Sequence, residues 1–149
     1  MSIALDSNVI LYAFDRLEPA KRAVAEPLLR RAIDCRAIIA RQVLGEILNV
    51  AHRRRVMMPA EARTLVSSLE AEAVIASTSP ESLAIASMTA ERFRLQFFDA
   101  LIATVCRDAG ATILLSEDMH DGLDVGAFII LDPFNPANAQ RIEAAWPRR

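Results

Sequence analysis

The spacing of hydrophobic positions changes along the chain, and the changes mark out elements. Short apolar runs at Ile3–Leu5, Ala37–Ala40, Ala73–Ala76, Thr112–Leu115 and Phe128–Leu131 have the length of buried strands. Between them, apolar residues recur at helical spacing. The clearest case runs from Gln42 to Arg54, where Val43, Leu44, Ile47, Leu48, Val50 and Ala51 gather on one face at about 100° per residue. Glu46, Asn49 and Arg53 share the flank beside that face, so Glu46 stands at the edge of a buried stripe. Further helices are predicted over Ala20–Ile33, with Ala23, Val24, Leu28 and Ile33 inward, and over Pro59–Glu72. Another opens at Ser79-Pro80-Glu81, with the serine as its cap. One runs from Gln96 to about Asp108, closed by Gly110, and the last covers Pro136–Ala145. Val9–Phe14 reads as a short buried helical turn. Pro19 suits a helix start, whereas Pro27 is expected to kink or divide its helix.

Strands alternating with helices, without an internal repeat or linker, imply one α/β domain over residues 1–149, with a mostly parallel sheet and helices on both faces. Such sheets bind ligands beyond the carboxyl ends of their strands. That rule draws attention to Asp6, which follows the first strand, and to the polar turn Ser116-Glu117-Asp118 after the fourth.

Composition narrows the class. A hydrophobic share of 53% with 24% charged residues excludes a disordered chain, and the apolar runs fall far short of a membrane span. The first residues, Met1-Ser2-Ile3-Ala4-Leu5-Asp6, do not resemble a signal peptide, so a soluble, cytoplasmic protein is expected. Cys35 and Cys106 have no metal-ligand spacing and read as buried free thiols. The net charge of −2 argues against gripping nucleic acid by bulk electrostatics. It leaves room for a nuclease whose acids are gathered around a cation. Lys21 is the single lysine, and all other basic residues except the two histidines are arginines.

Each candidate acid also has a plain structural reading. Asp6 could cap the turn after it, Asp99 could complement the dipole at a helix start, Glu46 could be a solvated rim residue and Asp118 a loop acid. Their combination carries more weight, because converging carboxylates repel and persist mainly where a cation or shared protons compensate them. Oxygen ligands alone favour Mg²⁺ or Mn²⁺, and one or two such ions could bind a phosphodiester and activate water for in-line attack.

The order Leu5-Asp6-Ser7-Asn8, then Val43-Leu44-Gly45-Glu46-Ile47, then Phe98-Asp99-Ala100-Leu101-Ile102-Ala103, then Leu114-Leu115-Ser116-Glu117-Asp118-Met119 resembles the PIN-domain family, in particular the VapC toxins of bacterial toxin–antitoxin pairs. The resemblance covers nearly the whole chain. It implies a three-layer α/β/α sandwich, a Mg²⁺- or Mn²⁺-dependent endoribonuclease, a homodimer and a cognate VapB-type antitoxin. Carried over by position, Asp6 and Asp99 would be the principal metal ligands, with Glu46 and Asp118 completing the catalytic site directly or through water. Asn8 and Ser116 would hold the pocket by hydrogen bonds, and Asp121 would be an outer acid. Glu117 and Asp124 are expected to be solvated, and Phe97 and Phe98 to pack. Arg53, within Arg53-Arg54-Arg55, is a candidate RNA contact, though cations also suit helix C-termini; His120 is another candidate.

Two rivals remain. A haloacid-dehalogenase-type phosphohydrolase also begins with an aspartate after its first strand, but it wants a second acid where this chain has Asn8, and Lys21 lies in the wrong segment. A catalytically silent PIN-like module that binds RNA or protein is the other.

Overall fold

The computed structural model describes residues 2–146; Met1 and residues 147–149, which the single-domain reading and the leader reading drew on, lie outside the described residues. The chain builds β1 (Ile3–Leu5), α1 (Ser7–Tyr12), α2 (Pro19–Asp34), β2 (Ile38–Ala40), α3 (Arg41–Arg53) and α4 (Pro59–Glu72). It continues through β3 (Val74–Ala76), α5 (Ser82–Phe93), α6 (Phe97–Asp108), β4 (Ile113–Leu115) and β5 (Ile129–Leu131). It closes with a 3₁₀ turn at Pro136–Asn138 and α7 (Ala139–Ala145).

The five strands form one sheet in the order β3-β2-β1-β4-β5, and every strand pairing is parallel. Parallel neighbours need crossovers, and here helices supply them, which lays the helices on the faces of the sheet. From β1 the chain steps outward to β2 and β3 through α1–α4. It then returns across the sheet through α5 and α6 to reach β4, so the two helical groups fall on opposite faces. Their packing agrees: α1, α2, α3 and α4 contact one another, α5 packs on α6, and both α3 and α6 pack on β2. The sheet is therefore the middle layer of an α/β/α sandwich. Strands β1, β2 and β4 are buried throughout, as strands covered on both faces must be.

The core gathers around the sheet, with Leu5, Ile39, Leu114, Leu115, Ile130 and Phe128 almost wholly shielded. Each such side chain contributes roughly 1.5–3 kcal/mol relative to exposure. Helix α3 buries Val43, Leu44, Ile47 and Ala51, four of the six positions that its spacing assigns to the inner face; Leu48 is exposed and Val50 half-buried. Among the described residues no helix is long and apolar enough to cross a membrane.

Three local expectations are corrected. Helix α2 runs unbroken through Pro27, which stands exposed with Ala23, so the carbonyl that proline leaves unpaired faces water. Its buried residues are Ala25, Leu29 and Ala32; of the four positions expected inward, Leu28 and Ile33 pack half-buried on the core, while Ala23 and Val24 are exposed. Helix α5 starts at Ser82: Ser79 precedes the helix, and its backbone N–H donates to Ser82 Oγ at 2.8 Å. Gly110 does close α6, with φ +95°.

Candidate active site

The carboxyl ends of β1 and β4 lie side by side at the point where the chain's connections diverge to opposite halves of the sheet, which is where open parallel sheets form a ligand-binding crevice. Asp6 follows β1 immediately. Its N–H donates to the Leu115 carbonyl at 3.0 Å, so the ladder between β1 and β4 fixes its backbone. Its side chain caps α1, with Oδ1 accepting from the Ser7 N–H at 2.7 Å. The capping role and the site role thus coexist. Oδ2 accepts from Ser116 Oγ at 2.7 Å and from Asn8 Nδ2 at 3.1 Å.

Asn8 knits the crevice together. Its Nδ2 also lies 3.2 Å from Asp118 Oδ2, and its Oδ1 accepts from the Glu117 N–H at 3.1 Å, tying the turn after β4 to the start of α1. Glu46 reaches in from α3, where Oε2 accepts from Ser7 Oγ at 2.8 Å and Oε1 from Gln42 Nε2 at 3.1 Å. Asp99 sits half-buried in the first turn of α6, whose N-cap Gln96 accepts from the Asp99 N–H.

The four acids feel one another. Burial is the main reason that the Asp6 carboxyl is raised to about 6; the hydrogen bonds from Ser116 and Ser7 pull it down, while the charges of Glu46 and Asp99 push it up. Asp99 is also raised, first by burial and then by Glu46 and Asp118. The structure therefore brings Asp6, Glu46, Asp99 and Asp118 into one electrostatic neighbourhood, with Asn8 and Ser116 bonded into it. Below it lies the buried Cys106 thiol, pushed up to about 12 by burial and then by the Asp6 charge. Both cysteines are free, although Cys35 is only half-buried.

Other candidates stand apart. Asp121 bonds the chain that follows β5, accepting from the Asp132 N–H, Asn135 Nδ2 and Asn138 Nδ2, which hold its carboxyl below the usual range despite some burial. It acts as a loop clasp. Glu117 is not freely solvated: it pairs with Lys21, which also donates to Tyr12 Oη at 3.1 Å. Asp124 is exposed and accepts from the Gly126 N–H. Arg53 and His120 are exposed. Phe97 packs on the core, but Phe98 is 54% exposed beside Asp99. Two positioning residues escaped the sequence reading. Gln42 could have been found, because it stands four residues before Glu46 on one helix. Ser7 could not, since its partner lies 39 residues away.

The donors are carboxylate, amide and hydroxyl oxygens, which suit a hard divalent cation, and such an ion would offset the neighbouring acidic charges that add to burial in raising Asp6 and Asp99. Among the described residues, however, no three His, Cys, Asp or Glu side chains form a group that could hold an ion as placed. Hydrogen bonds from Ser7, Asn8, Gln42 and Ser116 engage the carboxylates of Asp6 and Glu46 instead, and Asn8 also reaches Asp118.

Known proteins place this crevice in context. The crystal structure of the Mycobacterium tuberculosis toxin VapC20, described as cleaving the sarcin-ricin loop, is similar at a TM-score of 0.62 and 17% identity, over 78% of this chain and 90% of that one. At that identity the likeness speaks for the fold. No curated protein sequence matches the chain. The model of the PIN domain matches residues 3–120, a stretch that begins at β1 and ends just past Asp118 and so takes in all four acids, and by that match the chain belongs to the PIN-domain family.

Proposed function

We propose that this protein is a Mg²⁺- or Mn²⁺-dependent endoribonuclease of the VapC type, the toxin of a toxin–antitoxin pair. The observation that carries the reading is the hydrogen-bond network by which Ser7, Asn8 and Ser116 join Asp6, Glu46 and Asp118 at the divergence of the sheet, with Asp99 close enough for the charges of Glu46 and Asp118 to act on it. Asp6 and Asp99 would be the principal metal ligands, with Glu46 and Asp118 completing the set. The bound ion would supply Lewis-acid polarisation of the phosphodiester and activation of water. The chain's own groups supply orientation. Ser7, Asn8 and Ser116 aim the Asp6 carboxylate, Ser7 and Gln42 fix Glu46, and Asn8 holds Asp118 in register with Asp6. A cytoplasmic homodimer restrained by a VapB-type antitoxin completes the proposal.

Purified protein free of antitoxin, given Mg²⁺ or Mn²⁺, is expected to cut RNA, and Asp6→Asn or Asp99→Asn to lose about 10²-fold or more in rate, the scale on which a removed electrostatic contact acts. Absence of cleavage, together with growth arrest unchanged by Asp6→Asn, would sink it.

The hydrogen-bonded state of the carboxylates favours a second reading, a silent PIN-like module that binds RNA or protein. Calorimetric titration with Mn²⁺ separates the two: the nuclease binds the ion and Asp99→Asn weakens it, whereas the silent module binds none.

A further inference from the structure

A second polar cleft, of about 480 Å³, opens where the carboxyl ends of α1 and α3 meet the start of α4. Arg16, Arg22 and Arg55 stand around it over Phe14, Met57 and Leu65. Arg22 lies 3.8 Å from Glu26, and Glu61, the one carboxylate that lines the cleft, accepts from the Met58 N–H. Neither Arg16 nor Arg55 meets a carboxylate within ion-pair distance among the described residues. Guanidinium groups with spare donors suit phosphate, which their planar forks bind through two oxygens. Phe14, 39% exposed, offers the flat face on which a base stacks.

A chain of contacts joins this cleft to the acidic crevice. Asn8 accepts from Glu117, Glu117 pairs with Lys21, Lys21 donates to Tyr12, and the Arg54 guanidinium lies 5.2 Å from the Tyr12 ring centroid, next in sequence to Arg55. Lys21, paired with Glu117, and Arg54, over the Tyr12 ring, thus stand between the two. Glu46 stands seven residues before the end of α3 at Arg53, about 10 Å along the helix at about 1.5 Å per residue, and Arg55 follows two residues later.

We propose that the cleft walled by Arg16, Arg22 and Arg55 is a phosphate-binding subsite that holds a single-stranded stretch of the RNA substrate leading to the acidic site. The inference rests on the nuclease reading and adds to it where the strand runs. It also explains how a chain of net charge −2 handles a polyanion: the cations that matter are grouped on one side of the site.

The test measures binding of a labelled single-stranded RNA by fluorescence anisotropy, in an Asp6→Asn background that prevents cleavage, between about 50 and 200 mM salt. Each phosphate contact contributes about 0.7 to the slope of log K against log salt, so the triple change of Arg16, Arg22 and Arg55 to Gln should lower the slope by about 2. The affinity advantage of the parent should then shrink about 16-fold across that range. A control triple, Arg92, Arg94 and Arg141 to Gln, alters net charge equally in exposed positions elsewhere and should keep the parent slope. Circular dichroism checks folding, and Arg55→Gln alone, expected to lower the slope by about 0.7, stands in should the triple fail to fold. An unchanged slope overturns the subsite while RNA cleavage by the wild type leaves the nuclease reading intact, and loss of an acidic protein partner without loss of RNA affinity overturns it equally. A wild type that neither cleaves nor binds RNA overturns both.

Discussion

The raised Asp6 carboxyl gives the metal-stripped protein a characteristic pH dependence. A carboxyl whose folded pKa exceeds its unfolded value binds its proton more tightly when folded, so its ionised form destabilises the fold. That penalty is complete above about pH 6 and is relieved as pH falls through 6 toward 3.8. Going from 3.8 to about 6 amounts to a ceiling of about 3 kcal/mol at about 1.36 kcal/mol per pH unit. About 1 kcal/mol of this should be recovered between pH 7.5 and 5, where the folded carboxyl is largely protonated and the unfolded one is not. With a urea dependence of about 2 kcal/mol/M, the unfolding midpoint in EDTA should rise by about 0.5 M. Asp99 and Asp132, also raised, act in the same direction. Asp121, held low, stabilises above 3.8 and loses that contribution only at more acid pH, outside the window. Asp6→Asn should remove most of the slope. It should also add a constant cost of about 1–3 kcal/mol, because the new amide turns donors toward Asn8 Nδ2 and Ser116 Oγ, which donate to that position in the parent. A midpoint that stays flat or falls on acidification would refute the reasoning, as would a slope that survives in Asp6→Asn.

Two further outcomes test the surroundings. Ser116→Ala deletes a fully buried hydroxyl that bonds the ionised Asp6, so it should destabilise the protein by about 1.5–3 kcal/mol at pH 7.5, read from urea unfolding, and weaken Mn²⁺ binding by calorimetry. Arg94 ends α5 at φ 54°, a left-handed conformation that suits glycine. Relief of that strain, less the greater freedom of glycine when unfolded, should make Arg94→Gly more stable by up to about 1 kcal/mol and raise Tm by about 2–4 °C in a thermal melt.

What can be read from the sequence follows where the backbone period fixes a side chain's direction. Strand ends place Asp6 and Asp118 at the crevice once the sheet is known to be parallel, and the helical period of α3 places Glu46 on its rim. Loops and weakly patterned helices carry no such constraint. The clasp made by Asp121 depends on Asn135 and Asn138, which only the folded chain brings near it, so an acid in the same polar turn as Asp118 passes for a fifth member of the cluster. The buried face of α2 is hard to place because Ala20, Ala23, Ala25 and Ala32 fall on several sides of it and the apolar stripe has no sharp edge. Helix ends are harder still. With four glycines in the chain, Arg36, Arg55 and Arg94 occupy positive-φ positions that glycine usually marks. One of those three arginines, Arg55, is thereby turned into the cleft beside Arg16 and Arg22, and no pattern of hydrophobic residues announces it.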